Sequence, residues 1–159
     1  MNHFLIGCCM LTMVCSCKDE HEATAKESAK VKDSVTRMMT RISEDLTKGG
    51  PAQWPAYFED DPAFFMASDG AVKFSDYPSA ITYTRDTLPR LISHISLTWM
   101  HLRVDPLDRE FASIGADFSE DITLANGQAM SITGFFSAVA HFDGTSWKLR
   151  NLSWATKPR

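Results

Sequence analysis

Asp117 is the residue in this chain best placed by pattern for chemistry, because an alternating stretch around it sets one carboxylate among apolar and small neighbours. A carboxylate taken out of water has its pKa raised towards the range of a general base. The alternative is a structural aspartate held by hydrogen bonds at a pocket rim. Asn151 and Ser153 share its predicted face and are suited either to orient a ligand or to satisfy Asp117. Tyr57 and Tyr83 belong to helical segments that would roof the same face, where a phenol can donate to a developing oxyanion or serve as core with a polar tip. Met100 and Phe136 are expected to supply apolar ligand contacts. His94, His101 and His141 fall at a strand start and on the opposite face, so no metal site is expected. No cofactor fingerprint, phosphate-binding loop or nucleophile elbow occurs.

These residues must be held by elements that change period along the chain. Val31, Val35, Met38, Met39, Ile42 and Leu46 recur every three or four residues, which predicts an amphipathic helix over about 25–48. Gly49-Gly50 ends it, and Pro51 opens a shorter helix through Phe58 that turns Trp54, Tyr57 and Phe58 inward. Strands at 63–68 and 71–74 flank an Asp69-Gly70 turn. Ser75 or Asp76 caps a further helix with Pro78 in its first turn, and Pro89 marks its end or a kink.

From residue 95 the period becomes two. Strands are predicted at 95–105, 110–124, 128–142 and 147–156, with Asn126-Gly127 as a two-residue type I′ hairpin loop and 143–146 as a four-residue loop. The class is α+β: helices packed on one face of a curved antiparallel sheet. The two-residue loop pairs Ala125 with Gln128, sets Asp117 opposite Phe136 and Ile114 opposite Val139, and turns Asp117, Phe136, Asn151 and Ser153 inward. Thr98, Met100, Leu102 and Val104 join that inner face. Trp99, His101, Arg103, Ile114, Val139, His141, Lys148, Arg150, Leu152 and Trp154 then form an outer face, half charged and half apolar, which predicts a homodimer through it.

Residues 4–14 form an uncharged apolar run, the length of a secretory signal core and too short to span a bilayer. Its amino-terminal flank offers only the α-amino group and His3 as positive charge. All four cysteines lie at positions 8, 9, 15 and 17. Val14-Cys15-Ser16-Cys17 resembles the bacterial lipobox, which implies a signal peptide over 1–16, acylation of Cys17 and an effectively permanent membrane anchor at the cell envelope. Lys18-Asp19-Glu20-His21-Glu22 resembles a surface-export tag and reads equally as a solvated tether over 17–30. The domain over 31–157 has neither disulfides nor thiolate metal sites. A net charge of −4 gives no counterion-release drive towards nucleic acid, which excludes that partner class.

The order helix, short helix, hairpin, helix, long strands resembles the nuclear transport factor 2-like superfamily, in its SnoaL-like branch with relatives of unknown function. The likeness is carried by the early helix followed by residues 54–58, by Phe65-Met66-Ala67-Ser68-Asp69-Gly70 leading into the helix after Ser75, and by the closing hairpin 138–142, Asp143-Gly144, Trp147-Lys148-Leu149. It implies a cone-shaped fold with a pocket between helices and sheet, and frequent dimers. Members include ketosteroid-isomerase-like and epoxide-hydrolase-like enzymes, polyketide cyclases, and binding or assembly modules, so the resemblance leaves function open. Leu152-Ser153-Trp154 lacks the histidine common near that position in the cyclases. Three readings follow: a small-ligand- or partner-binding domain without chemistry; an isomerase, hydratase or hydrolase using Asp117 as base; and an accessory subunit working through its outer sheet face.

Overall fold

The structure is a computed structural model that describes the backbone of residues 16–157 and the side chains of residues 24–157. Residues 1–15 of the predicted signal segment and the side chains of Ser16 and Cys17 lie outside the described residues. No helix among the described residues is long and apolar enough to cross a membrane.

Helix α1 spans Ser16–Gly49. It is longer than its apolar stripe because the expected tether is rich in Ala, Lys and Glu, which favour helix without any core. Among the described residues the buried stripe starts at Val31, one turn after the Glu27 carboxylate pairs with Arg109 at 2.8 Å. Val35, Met39, Ile42 and Leu46 are wholly buried, so one stripe holds the helix to the sheet. Ile42→Ala is expected to lower the unfolding free energy by about 3 kcal/mol in urea titrations, since a sealed site cannot collapse around the lost atoms.

Gly50, at φ 74°, turns the chain into a 3-10 helix at Pro51–Tyr57. Strands β1 (Phe65–Ser68) and β2 (Ala71–Phe74) form the expected hairpin, with Asp69 and Gly70 both at positive φ. Helix α2 (Tyr77–Thr82) is capped by Asp76, whose carboxylate accepts from the Ser79 N–H at 2.9 Å. It passes through a π turn at Tyr83–Thr87 into α3 (Leu88–Leu91). Pro89 accounts for the wide turn: it lacks an N–H, and its ring would press on the carbonyl of residue 85 in a regular helix.

Strands β3 (Ile92–Pro106), β4 (Phe111–Leu124), β5 (Ala129–Phe142) and β6 (Trp147–Thr156) complete one six-stranded sheet in the order β2-β1-β6-β5-β4-β3. All neighbours are antiparallel except β1 and β6. The Trp99 indole N–H donates to the Met39 carbonyl at 2.9 Å, and the Leu97 N–H donates to Thr47 Oγ1 at 3.3 Å, so α1 lies across β3.

The register differs from expectation by one residue at the β4–β5 hairpin. Leu124 N–H donates to Gln128 O at 2.8 Å, Gly127 N–H donates to Leu124 O at 2.9 Å, and Gly127 has φ 85°, whereas Asn126 stays at negative φ. This is a three-residue loop with a left-handed glycine, not the two-residue type I′ loop. Asp117 therefore faces Phe135, and Ile114 faces Ala138.

The slip inverts β4 and leaves β5 in place. Ala112, Ile114, Ala116, Phe118 and Ile122 are buried on β4, as are Phe136, Ala138 and Ala140 on β5. Bulges change two more expectations. On β3 the register shifts between Met100 and Arg103, around His101 at φ 50°, so Trp99 joins the core and Thr98 and Met100 turn out, while Val104 is buried inside as expected. On β6 Ala140 faces Leu149 and Val139 faces Asn151, which leaves Arg150 as the extra residue. Leu152 and Trp154 thereby point inward, and Asn151 and Ser153 outward. The 143–146 loop is as predicted, with Phe142 facing Trp147.

Candidate functional site

The sheet curls around a cavity of about 420 Å³ roofed by the 3-10 helix, the β1–β2 hairpin and the π turn. Eight of its lining residues are aromatic: Trp54, Phe58, Phe74, Tyr83, Trp99, Phe118, Phe136 and Trp154. Tilted ring pairs shape its wall, with Trp99 and Phe136 centred 5.0 Å apart and Phe74 and Tyr83 5.2 Å apart. Apolar bulk comes from Met66, Leu88, Ile92, Ile95 and Ile122.

Polar groups are few and come from different elements. Ser68 hydrogen-bonds to the neighbouring Asp69 carboxylate, and Thr84 donates to the Ala80 carbonyl at 2.8 Å, an i−4 bond within the helix. Lys73 stands exposed on β2 at the rim. Glu120 is the one carboxylate among the lining residues. It follows Phe118 and precedes Ile122 on the inward side of β4, with Leu97 and Ile132 opposite on the neighbouring strands. No described residue gives its side chain a hydrogen bond. Glu120 is half-buried, and this partial loss of hydration alone pushes its carboxyl up to about 7, because the charged form gains no cation among the described residues in exchange.

Asp117 sits on the other side of the sheet, which corrects the reading that made it a pocket base. Its Oδ2 lies 2.8 Å from His101 Nδ1 and its Oδ1 3.6 Å from Lys157 Nζ. The hydrogen bond from His101, followed by the positive charge of Lys157, holds its pKa below the ordinary aspartate value, opposite in direction to that expected. Tyr57 points away from the cavity and donates to Asp45 on α1; burial, with that carboxylate beside it, raises its pKa. Met100, Asn151 and Ser153 are absent from the lining, whereas Tyr83 and Phe136 are part of it. The signal that identifies Glu120 is the β4 alternation itself: Ala112, Ile114, Ala116, Phe118 and Ile122 share its parity.

The outer face carries a second polar group of residues. His141 Nδ1 lies 2.5 Å from Glu59 Oε1, and its ring stacks on Phe111 with centroids 4.4 Å apart. Arg150 pairs with Asp61 at 3.0 Å. Glu59 is only 7% exposed and its Oε2 is buried without a partner among the described residues. His141→Ala would leave that carboxyl with neither oxygen paired. Loss of about 2 kcal/mol in denaturant titrations is expected, because a buried polar group left without a hydrogen-bond partner carries its full desolvation penalty.

No protein-family model matches the sequence, and no curated protein matches it significantly. Solved structures do match in shape. A nuclear transport factor 2-like superfamily protein from Salmonella enterica serovar Typhimurium superposes with TM-score 0.65 at 14% identity, covering 86% of this chain and 94% of that one. A provisionally assigned scytalone dehydratase from Novosphingobium aromaticivorans gives 0.72 at 13%, covering 84% and 89%. The hexachlorocyclohexane dehydrochlorinase LinA-type3 from Novosphingobium barchaimii gives 0.66 at 12%, covering 84% and 91%. At such identities the likeness speaks for architecture alone. The helices, the six-stranded sheet and the cavity between them give this chain the α+β nuclear transport factor 2-like fold.

Proposed function

We propose that the domain binds a small, largely apolar molecule in the cavity between the helices and the sheet, and that acyl chains on Cys17 hold it at a bacterial cell envelope. The supporting observation is the cavity: about 420 Å³, within the usual range for small-molecule sites, with aromatic walls and few polar groups. Trp54, Trp99 and Trp154 line it, so occupancy has an intrinsic reporter. Titration with the apolar fluorophore N-phenylnaphthylamine should quench tryptophan emission saturably, with energy transfer to the dye. Emission that stays constant while the dye fails to saturate would contradict the reading. The anchor is tested separately, by metabolic labelling with an alkyne fatty acid, which Cys17→Ser should abolish.

The outer face is the candidate dimer surface in this proposal. Phe135 is 51% exposed and Met100 38% exposed on it. Light scattering should then report a dimer that Phe135→Glu dissociates. A wild-type monomer would shift weight away from this face.

A second reading is favoured by Glu120. A carboxyl titrating near 7 beside apolar walls is suited to move a proton to or from carbon, as an isomerase or hydratase requires. In this reading Glu120 takes the role that the sequence offered to Asp117, and the Tyr83 hydroxyl is the available donor from the roof. Deuterium exchange at the α-carbon of cyclohexanone in D2O tests it. Exchange above background that Glu120→Gln removes supports proton transfer, and background exchange in the native protein opposes it.

A further inference from the structure

We infer that the cavity takes a hydrophobic cation, a protonated or quaternary amine whose nitrogen meets the Glu120 carboxylate while its apolar body lies against the aromatic walls. This rests on the binding reading above and adds the charge of the ligand to it.

The first observation is the unanswered carboxylate. Glu120 faces the cavity with Phe118 and Ile122 beside it on its own strand and Leu97 and Ile132 across. It is half-buried, no described side chain donates to it, and desolvation is the sole cause of its shift, so no cation among the described residues answers its charge. A carboxylate in that setting is destabilising until a cation arrives. A neutral apolar ligand would complete its desolvation without compensation, and an anion would oppose it outright.

The second observation is independent of the carboxylate. Aromatic faces carry negative electrostatic potential and attract cations, tryptophan most strongly. The Trp99 and Phe136 rings meet at 45°, so they present two faces at different angles to one occupant. Trp154 and Tyr83 add rings from β6 and from the π turn. An aliphatic lining would serve a neutral ligand as well; this one is biased towards positive charge.

The other titratable side chains among the described lining residues are Lys73 on β2 and Tyr83 on the π turn. Lys73 is exposed at the rim, and its charge acts on Asp69 at the hairpin turn. It makes no contribution at Glu120. Among the described lining residues, the charge at Glu120 is therefore left to the ligand.

The test uses two probes of one shape: benzyltrimethylammonium, and neopentylbenzene, in which carbon replaces the charged nitrogen. Both are titrated into the full purified chain, with tryptophan emission as the readout. At pH 8.5 the cation should bind at least tenfold more tightly. Lowering the pH to 5.5 should weaken it by about thirtyfold, because below the free carboxyl's pKa each pH unit costs tenfold in the ionised fraction. The neutral probe should strengthen over the same range. Glu120→Gln should abolish the preference while retaining the neutral probe; if that variant does not fold, the pH series on the native protein decides. Equal binding of the two probes at pH 8.5, or a cation affinity flat with pH, overturns the inference and leaves the cavity reading standing. If neither probe binds, both readings fall.

Discussion

Glu120→Gln is expected to stabilise the domain by on the order of 2 kcal/mol at pH 8 and by almost nothing at pH 4. In the folded chain burial pushes this carboxyl up to about 7, against an ordinary value of 4.5. Below the ordinary value it is protonated in both states, and glutamine is a close substitute. Between the two values the folded state binds the extra proton, so stability falls as pH rises, and above about 7 the full cost of holding this half-buried carboxylate ionised is present. Asp69, Asp76, Asp117, Asp86 and Asp143 have lowered pKa values and act in the opposite sense, losing stabilisation as the solution is acidified. Comparing variant with native at each pH removes them from the difference. Urea titrations at pH 4, 6 and 8 should show the two curves separating as pH rises. A constant offset would mean that Glu120 titrates normally.

Gly134→Ala should be the most damaging small substitution in the sheet. A Cβ there would stand 2.2 Å from the Ala155 carbonyl oxygen and 2.7 Å from the Phe118 ring. The first neighbour is backbone of β6 and cannot swing away. The second forms part of the cavity wall. Relief requires β5 and β6 to part or Phe118 to enter the cavity, so a loss on the order of 4 kcal/mol is expected, with weakened binding of any cavity probe. Two other glycines provide controls. At Gly127 nothing lies within 4 Å of the added atom, and the cost is only that of a left-handed residue, about 1 kcal/mol. At Gly115 the neighbour is the tip of Phe135, 3.2 Å away on an exposed side chain free to move. Thermal unfolding of the three variants should place Gly134→Ala far below the others.

Much of this architecture is written in local chemistry. The 3.6-residue stripe of α1, the Gly49-Gly50 stop, the Asp69-Gly70 turn, the Asp76 cap and the 143–146 loop each depend on residues within a few positions, and each stands where the sequence puts it. Less local is the phase between neighbouring strands, which a single loop residue or bulge resets. Asn126-Gly127 favours a two-residue loop, yet Gly127 alone takes the left-handed conformation, and one extra residue in the loop reverses every side chain of β4 relative to β5. The bulges at His101 and Arg150 reverse two further segments, and a bulge has no strong sequence signature.

The site went astray for the same reason. The expectation of an apolar bowl containing one acidic group matches the cavity, but the carboxylate is Glu120 and not Asp117. The alternation within β4 outweighs the turn. Ala112, Ile114, Ala116, Phe118 and Ile122 form a more apolar set than Phe111, Ser113, Gly115, Asp117 and Asp121. Burial energy summed over five positions outweighs the preference of one loop. The pairings of Asp117 with His101 and of Glu59 with His141, at sequence separations of 16 and 82, depend on the bulged sheet and could not be read from spacing.

The most direct measurement is a carbon-13 NMR titration of the glutamate side-chain carboxyls, with Glu120 assigned by its loss in Glu120→Gln. Glu120 should show a midpoint near 7, moving downward when benzyltrimethylammonium fills the cavity. A midpoint near 4.5, unmoved by the cation, would place this carboxyl in water and contradict the cavity, its charge and the ligand inferred from them.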